Sequence, residues 1–269
     1  MSKWLDVYSK IFSRKRLYKF HKLLYLMSLK GLGILNYQGF RISGEEFFLS
    51  NYISSESIKV VFDVGANVGG YTERLRKYNS ATKIYCFEPH PETYKRLQKN
   101  IGKIDGIELY NVGLSKNADT LKIFDYIDND GSSHASLYKE VISEIHKAEV
   151  IEHEVAIRTI DDFISEKDLQ RVNLLKIDTE GNELNVLLGA REALTNAKID
   201  IIHFEFNEMN VISKTYFKEF WDLLEGYELY RLLQDGLVLI KHYNPVFCEI
   251  FAFQNIVAIR KGFSIEGIK

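Results

Sequence analysis

Acidic side chains stand at the ends of several apolar runs in this sequence. These acids are Asp63, Glu88, Asp178, Glu180 and Glu205. Each run has the length of a buried strand, and the carboxyl ends of parallel strands meet at one edge of a sheet. Carboxylates at such an edge can hold a cofactor, and they can remove the proton of a reacting hydroxyl group. We therefore expect the five carboxylates to form one site.

The first acid precedes a glycine-rich turn, G-A-N-V-G-G at 65–70, which predicts a cofactor site between a strand and a helix. A dinucleotide fingerprint, G-x-G-x-x-G, would need glycine where Asn67 stands. Asp63 would repel a pyrophosphate but attract the cationic amino group of S-adenosylmethionine. The turn therefore favours S-adenosylmethionine. An NAD(P)-dependent oxidoreductase and a cofactor-binding scaffold without catalysis are the alternatives.

The next two runs also end in polar residues. Glu88 closes the second run, where a carboxylate accepts hydrogen bonds from ribose hydroxyls, and by itself it fits either cofactor. Asn111 closes the third run, where an adenine amino group is commonly received. An ordinary turn residue explains Asn111 equally well.

Apolar runs alternate with helical patterns along most of the chain. Strands are predicted at 60–64, 84–88, 107–112, 172–178 and 199–206, followed by a hairpin at 227–241 and a closing strand at 250–260. Helices are predicted between them, including single helices at 71–78, 92–101 and 182–196. This order predicts an α/β fold with a doubly wound, mostly parallel sheet.

Residues 115–160 interrupt this rhythm with two alternating runs around a turn-rich loop, which predicts an inserted antiparallel β-flap. Insertions above the carboxyl ends of strands commonly contact substrate. His134, Ser132 and Ser136 could do so here, although a histidine in a polar loop is more often merely solvated.

The first 55 residues are predicted to form an N-terminal helical extension and hairpin, before a main domain at 56–269. The extension contains a basic helix at 4–32, a hairpin at 34–42 and a helix at 45–53. The basic helix could contact an anionic membrane surface or a glycolipid. Packing against the domain with a solvated basic face is the favoured alternative.

Composition excludes several classes of protein. A chain of 269 residues that is 46% hydrophobic can bury one large core. A formal net charge of −2 does not favour nucleic acid as a partner. Cys86 and Cys248 lie in apolar runs, as expected for packed thiols in a reducing compartment. No transmembrane segment or signal peptide is recognisable, so a cytoplasmic location is expected.

Five motifs in this order resemble the FkbM-type S-adenosylmethionine-dependent methyltransferases, and the resemblance extends over residues 36–260. They are DVGANVG at 63–69, FEPHP at 87–91, NVGLS at 111–115, LKIDTEGNEL at 175–184 and QNIVAI at 254–259. The stretch KIDTEG is the most discriminating of them. The family carries Ala-Asn in the middle of its glycine turn, as this chain does.

The resemblance implies a class I methyltransferase fold, which is Rossmann-like, and transfer of a methyl group to oxygen. The implied acceptor is a hydroxyl of a sugar, a glycan or a related small molecule, and the basic helix would suit a lipid-linked glycan. The residues expected to bind the cofactor are Asp63, Gly65, Ala66, Asn67, Gly69, Glu88, Pro89, Asn111, Val112 and Asp178.

The catalytic group is expected at the ends of the fourth and fifth strands. Asp178 or Glu180, with Glu205 facing it, could take the acceptor's hydroxyl proton. Asp178 and Glu205 could instead share one divalent cation, which is not favoured, or could simply cap turns and pair with Lys176 or His203. The Asp-Thr-Glu-Gly turn stands where many N-methyltransferases carry Asn-Pro-Pro-aromatic, which indicates oxygen as the acceptor.

Overall fold

The computed structural model describes residues 3–126 and 150–264. Its helices are α1 Lys3–Phe12, α2 Tyr18–Gly31, α3 Glu45–Phe48, α4 Gly70–Tyr78, α5 Pro91–Ile101, α6 Ile160–Glu166, α7 Glu183–Leu188, α8 Arg191–Thr195, α9 Met209–Ile212, α10 Phe217–Leu223 and α11 Pro245–Cys248. Its strands are β1 Val60–Val64, β2 Lys83–Phe87, β3 Ile107–Tyr110, β4 Gly113–Leu114, β5 Asp119–Tyr126, β6 Val150–Arg158, β7 Val172–Ile177, β8 Ile199–Phe206, β9 Tyr227–Leu233, β10 Gly236–Leu239 and β11 Gln254–Arg260.

The central sheet has eight strands in the order β10-β9-β11-β8-β7-β1-β2-β3. The strands β3, β2, β1, β7 and β8 are parallel, and β11 runs antiparallel between β8 and β9. The chain builds outward from β1 to β3 on one side and continues from β7 on the other. The crevice for a ligand is therefore expected at the carboxyl ends of β1 and β7, where the order reverses.

Alternating side chains of the strands bury two cores, one on each face of the sheet. Phe62 and Phe204 point to the face covered by α6, α7 and α10. Val61 and Leu174 point to the face covered by α3, α4 and α5. Helices on both faces confirm the predicted doubly wound, Rossmann-like fold.

The predicted flap is present in its two arms. Strands β5 and β6 pair antiparallel, and β6 also pairs with the short β4, which gives a second, three-stranded sheet. Its apolar residues Ile123, Val155 and Ile157 form a cluster separate from the two main cores. The loop that carries Ser132, His134 and Ser136 lies outside the described residues.

The prediction of one N-terminal helix over 4–32 is wrong, since α1 and α2 are separate helices. Arg14 adopts an extended backbone between them. Its guanidinium donates to the carbonyl oxygen of Lys10 at 2.8 Å. This bond satisfies a carbonyl at the end of α1 that a further helical turn would otherwise pair. No helix in the described part of the chain is long and apolar enough to cross a bilayer.

The predicted hairpin at 34–42 is also wrong, because these residues form bends and turns. The N–H of Ile34 donates to Leu29 at the end of α2, and the N–H of Leu35 donates to Phe253 near β11. The backbone N–H groups that a local hairpin would pair therefore have partners outside the 34–42 segment. The helix predicted at 45–53 forms, with a π-helical turn at Leu49–Ile53, and it packs into the core of the sheet. The division at residue 55 stays a prediction.

The helix predicted at 182–196 is broken into α7 and α8 at Gly189. A Cβ at Gly189 would lie 2.1 Å from the carbonyl oxygen of Ser115, so the chain is held against the strand that leads into the flap. The carboxylate of Asp161 then caps α8 by accepting from the N–H groups of Glu192 and Ala193, both at 2.9 Å. The break therefore comes from tertiary contacts.

Candidate active site

A cleft of about 690 Å³ opens at the carboxyl ends of β1, β2 and β7, below the flap. Its walls combine the glycine turn, the two strand ends beside it and apolar flap residues. They are Val64, Gly65, Asn67, Phe87, Glu88, Pro89, Gly113, Leu114, Ile123, Ile157, Asp178, Thr179, Glu180 and Asn182. The cleft lies where the strand order reverses, which is the expected ligand position in such a sheet.

Two glycines shape this cleft by allowing close approach. Gly65 has φ +77°, and a Cβ there would lie 1.7 Å from the carbonyl oxygen of Asp178. A Cβ at Gly113 would lie 2.6 Å from Ile157 of the flap. Side chains at these two positions would clash with the end of β7 and with the flap, and would push these segments away from the cleft walls.

Glu88 lies on the cleft wall and is held by the main chain. Its Oε2 accepts from the N–H of Asn67, and its Oε1 accepts from the N–H of His90, both at 2.9 Å. Burial raises the pKa of this carboxyl to about 7, although the two N–H donors oppose the shift. Glu88 therefore links the glycine turn to the start of α5 and titrates near neutrality.

Three polar side chains lie side by side across the middle of the sheet. They are Asp63 on β1, Lys176 on β7 and His203 on β8, at paired positions. They face α4, from which the hydroxyl of Thr72 donates to Asp63 Oδ2 at 2.6 Å. The hydroxyl oxygen of Tyr71 lies 3.3 Å from His203 Nδ1. Strand register thus assembles residues that are far apart in the chain.

Lys176 is the cation of this row. Its ammonium is buried and lies 3.1 Å from Asp178 Oδ2 and 5.3 Å from the centre of the Tyr71 ring. Burial alone would lower the pKa of Lys176, but the carboxylates of Asp178, Glu205, Glu45 and Asp63 outweigh burial and raise it. We call Lys176 and these four carboxylates the acid cluster.

Three carboxyls of the acid cluster have pKa values above the ordinary range of such groups. Burial, followed by the charge of Asp178, raises the pKa of Glu205 well above its ordinary value. Burial also raises the pKa of Asp63 and of Glu45, although Lys176 opposes both shifts. The side chain of Asp178 is 37% exposed and lines the cleft. Asp178 is therefore the member best placed to meet a substrate.

His203, the remaining candidate base, does not line the cleft. It is fully buried, and its Nε2 lies 3.0 Å from Asn255 Oδ1. Burial, helped by the charge of Lys176, lowers the pKa of His203 to about 3. His203 therefore stays neutral at ordinary pH and serves as a structural hydrogen-bonding group.

The cleft brings together part of the predicted site. Gly65, Asn67, Glu88, Pro89, Asp178 and Glu180 line it, whereas Asp63, Ala66, Gly69, Asn111, Val112 and Glu205 do not. Asp63 is buried behind the glycine turn, with 2% of its surface exposed. Asn111 donates to the carbonyls of Glu88 and Pro89, at 2.8 and 3.0 Å, so it shapes the loop after β2.

Sequence reasoning missed Glu183, a buried acid that orders the turn after β7. Its Oε1 accepts from the N–H of Thr179 at 2.9 Å and from the N–H of Gly181 at 3.1 Å. Burial raises the pKa of Glu183 to about 7. The signal available in the sequence was a carboxylate three residues after Glu180, at the start of a helix.

Metal binding gains no support from this geometry. Within residues 3–126 and 150–264, no three His, Cys, Asp or Glu side chains are grouped as ligands for a metal ion. Lys176 already supplies a positive charge beside Asp178, at the position where the sequence allowed a cation shared by Asp178 and Glu205.

The model of the methyltransferase FkbM domain matches residues 63–253. This stretch contains the glycine turn, the cleft and the acid-bearing ends of β7 and β8. The chain belongs to the FkbM methyltransferases. Membership of this family confirms the resemblance seen in the motifs. It also identifies S-adenosylmethionine, and not a nicotinamide nucleotide, as the cofactor.

Three relatives of this methyltransferase match different shares of its length. The 2-O-methyltransferase NoeI of Sinorhizobium fredii is 24% identical over 66% of this chain and 76% of its own length. Methyltransferase 1 of Beauveria bassiana is 31% identical over 48% of this chain and 57% of its own. The hexuronic acid methyltransferase AglP of Haloferax volcanii is 27% identical over 55% of this chain and 56% of its own. The chain thus spans little more than half of the last two relatives.

The cleft of this methyltransferase fits its methyl donor. Glu88 offers a buried carboxylate beside the glycine turn that can accept from ribose hydroxyls. Gly65 and Gly113 allow the walls of the cleft to approach more closely than any larger residue would permit. Phe87 and Leu114 provide an apolar wall for a planar base.

Proposed function

We propose that this methyltransferase transfers a methyl group to a hydroxyl oxygen of a sugar, either in a glycan or in a related small molecule. The activities for which two relatives are named support this acceptor, since one is a 2-O-methyltransferase and the other a hexuronic acid methyltransferase. The acids at the mouth of the cleft suit a hydroxyl, which is a very weak acid and reacts better when a base takes its proton.

One observation carries the proposal, namely the orientation of Asp178. Its Oδ2 lies 3.1 Å from the ammonium of Lys176, while the carboxylate lines the cleft. Within the described residues, no hydrogen bond or ion pair takes Oδ1. An acceptor hydroxyl in the cleft can therefore donate to Oδ1 without breaking the ion pair.

The chain's residues divide the work of the reaction. S-adenosylmethionine supplies a methyl group on a sulfonium, and the sulfur leaves without charge. Asp178 accepts the hydroxyl proton as the acceptor oxygen forms its new bond to carbon. Lys176 fixes the direction of that carboxylate, and Glu88 would hold the ribose of the donor. Alignment contributes on the order of 10⁵ M in effective molarity, and a positioned base contributes about 10²- to 10⁴-fold.

The flap is the proposed wall for the acceptor. Ile123 of β5 and Ile157 of β6 reach the cleft opposite the acids of the β7 end. An apolar side facing polar groups is typical of sugar sites, because one face of a sugar ring presents C–H groups and its rim presents hydroxyls.

The test is a methyl-donor assay on nucleotide sugars and glycan extracts, with the methylated product located by mass spectrometry. We expect transfer to a sugar hydroxyl, with kcat of Asp178→Asn lowered about 100-fold or more. The matched variants Glu180→Gln and Glu205→Gln should each cost less than Asp178→Asn. A chelator should leave transfer unchanged.

Three results would contradict the proposal. Methylation of nitrogen or carbon would exclude a hydroxyl acceptor. Full activity of Asp178→Asn, with donor affinity also unchanged, would remove Asp178 from the site altogether. Loss of activity on treatment with a chelator would replace the base by a metal.

A further inference from the structure

The two N-terminal helices are apolar on the outside, unlike the rest of the molecule. No residue of α1 is buried, and Leu29 is the sole buried residue of α2. More than half of the large apolar side chains exposed in the described chain belong to these two helices, including Trp4, Ile11, Phe20 and Met27. Exposed apolar side chains concentrated on two neighbouring helices are typical of an interaction surface.

Charge distinguishes the same segment. Residues 1–32 contain eight Lys or Arg and one acidic residue, for a net charge of +7. The other 237 residues contain 27 basic and 36 acidic residues, for a net charge of −9. The near-neutral net charge of the whole chain therefore combines a strongly basic N-terminal segment with an acidic main domain. An anionic surface would attract the segment and repel the domain.

The helices are joined so that basic and apolar groups face outward together. The hydroxyl oxygen of Tyr8 lies 3.4 Å from His21 Nδ1, and His21 Nε2 lies 3.1 Å from the carbonyl oxygen of Phe12. An open cleft of about 770 Å³ at this junction is lined by Arg14 and Lys15 together with hydroxyl side chains. Its donors match the chemistry of a phosphate headgroup.

We propose that α1 and α2 bind the surface of an anionic phospholipid bilayer, with their apolar side chains in the headgroup region. Lys, Trp and aliphatic residues on a short exposed helix are the composition of interfacial helices. In the described residues no ion pair neutralises Lys15, Arg16 or Lys19, so their charges remain available to lipid phosphates. A second copy of the chain would bring another +7 to the same surface and is disfavoured by repulsion.

Membrane binding would also position the active site. The chain passes from Leu29, which is buried against the domain, to Glu45 of the acid cluster within sixteen residues. The bound helices would hold this edge of the sheet close to the lipid. This last step rests on the proposed function, because it would present a lipid-linked sugar to the cleft.

The test uses the full chain without a methyl donor, so that its result is independent of catalysis. The sequence contains two tryptophans, Trp4 and Trp221, and Trp4 is 81% exposed. In a Trp221→Phe variant, Trp4 reports its own surroundings. We expect its fluorescence to shift to the blue with vesicles of phosphatidylcholine and phosphatidylglycerol, and to stay unchanged with phosphatidylcholine alone.

A charge variant and a matched control sharpen the test. Replacing Lys15, Arg16 and Lys19 with Gln should lower the vesicle partition coefficient about 100-fold, because each basic residue near an anionic surface contributes about a factor of five. Replacing Lys99, Lys103 and Lys116 with Gln removes the same charge from the main domain and should change partition little. Added salt should weaken binding of the parent chain.

Three outcomes would overturn the proposal. The first is a Trp4 spectrum that ignores anionic vesicles. The second is equal loss of partition in the two triple variants, which would assign binding to total charge. The third is a dimer, seen by sedimentation without lipid, that buries Trp4 and prevents vesicle binding.

Discussion

Glu88 and Asp178 directly follow β2 and β7, the two strands that flank β1, yet the molecule positions them by different means. Glu88 is buried and receives two main-chain N–H groups. Asp178 is 37% exposed and lies against the buried ammonium of Lys176. The comparison shows that one acid is fixed by backbone geometry and the other by a single charged side chain. Removing the charged partner of Asp178 should therefore reduce activity and stability more than a change at Glu88 does.

The largest effect is expected from Lys176→Met, which keeps the side chain's length and removes the cation of the acid cluster. The buried carboxylates would lose their partner, so the free energy of unfolding should fall by about 3 kcal/mol. Asp178 would also lose its orientation, and kcat/KM should fall about 100-fold or more. Denaturant titration and the methyl-transfer assay measure the two effects.

Lys83→Met is the matched control, since Lys83 also pairs with a carboxylate, Glu108, at 2.7 Å, but both side chains are more than one-third exposed. It should cost less than about 1 kcal/mol. Equal costs for the two variants would mean that burial of the Lys176 charge is not what matters.

The second prediction concerns donor binding to Glu88. Its pKa of about 7 means that the carboxyl is protonated below neutrality and then accepts ribose hydroxyls poorly. Affinity for S-adenosylmethionine should therefore rise as pH rises through about 7 in the parent enzyme, and Glu88→Gln should remove this dependence. Calorimetric titration at several pH values measures it. Glu183→Gln is the control, because Glu183 has the same raised pKa but does not line the cleft.

The third prediction concerns stability, and its sign follows from the same raised pKa. A carboxyl whose pKa is higher in the folded chain holds its proton there more tightly, so its contribution is complete below about pH 4.5 and is lost as pH rises to about 7. For Glu88 the loss is up to about 3 kcal/mol. Glu88→Gln should flatten the decline between these pH values, leaving the part due to Glu183. An unchanged decline would place the titrating group elsewhere.

The smallest effect is expected from His203→Gln. His203 is buried with a pKa of about 3, so it does not titrate in the range of an activity assay. The shape of the pH–rate profile should stay the same, with a loss of about 1 kcal/mol in stability from its hydrogen bond to Asn255. A shifted profile would restore His203 as a candidate base.

The sequence predicted the sheet well because buried parallel strands are continuous apolar runs. Strands β1 and β8 have the predicted bounds, Val60–Val64 and Ile199–Phe206, and β2, Lys83–Phe87, lies one residue before its prediction. The break at Gly189 was invisible, since it depends on the carbonyl of Ser115 from a distant strand. Local patterns carry no information about such contacts.

For the candidate site, the sequence predicted which residue types occur better than it predicted where their side chains lie. Lys176 stood out as a charge inside an apolar run, but its position between Asp63 and His203 follows from strand order and register. The alternation of side chains turns Asp63 toward α4 and away from the cleft. Sequence spacing alone could not tell that Glu88 reaches the cleft while Asp63 is covered.

The separate apolar cluster of the flap has a consequence for how this enzyme could change over evolutionary time. Ile123 and Ile157 reach the cleft from a small sheet whose own interior is independent of the two large cores. Substitutions there would alter which acceptors fit while leaving global stability nearly intact. Acceptor preference can therefore diverge quickly on this scaffold, whereas the donor side, built into the main sheet, is constrained to stay the same.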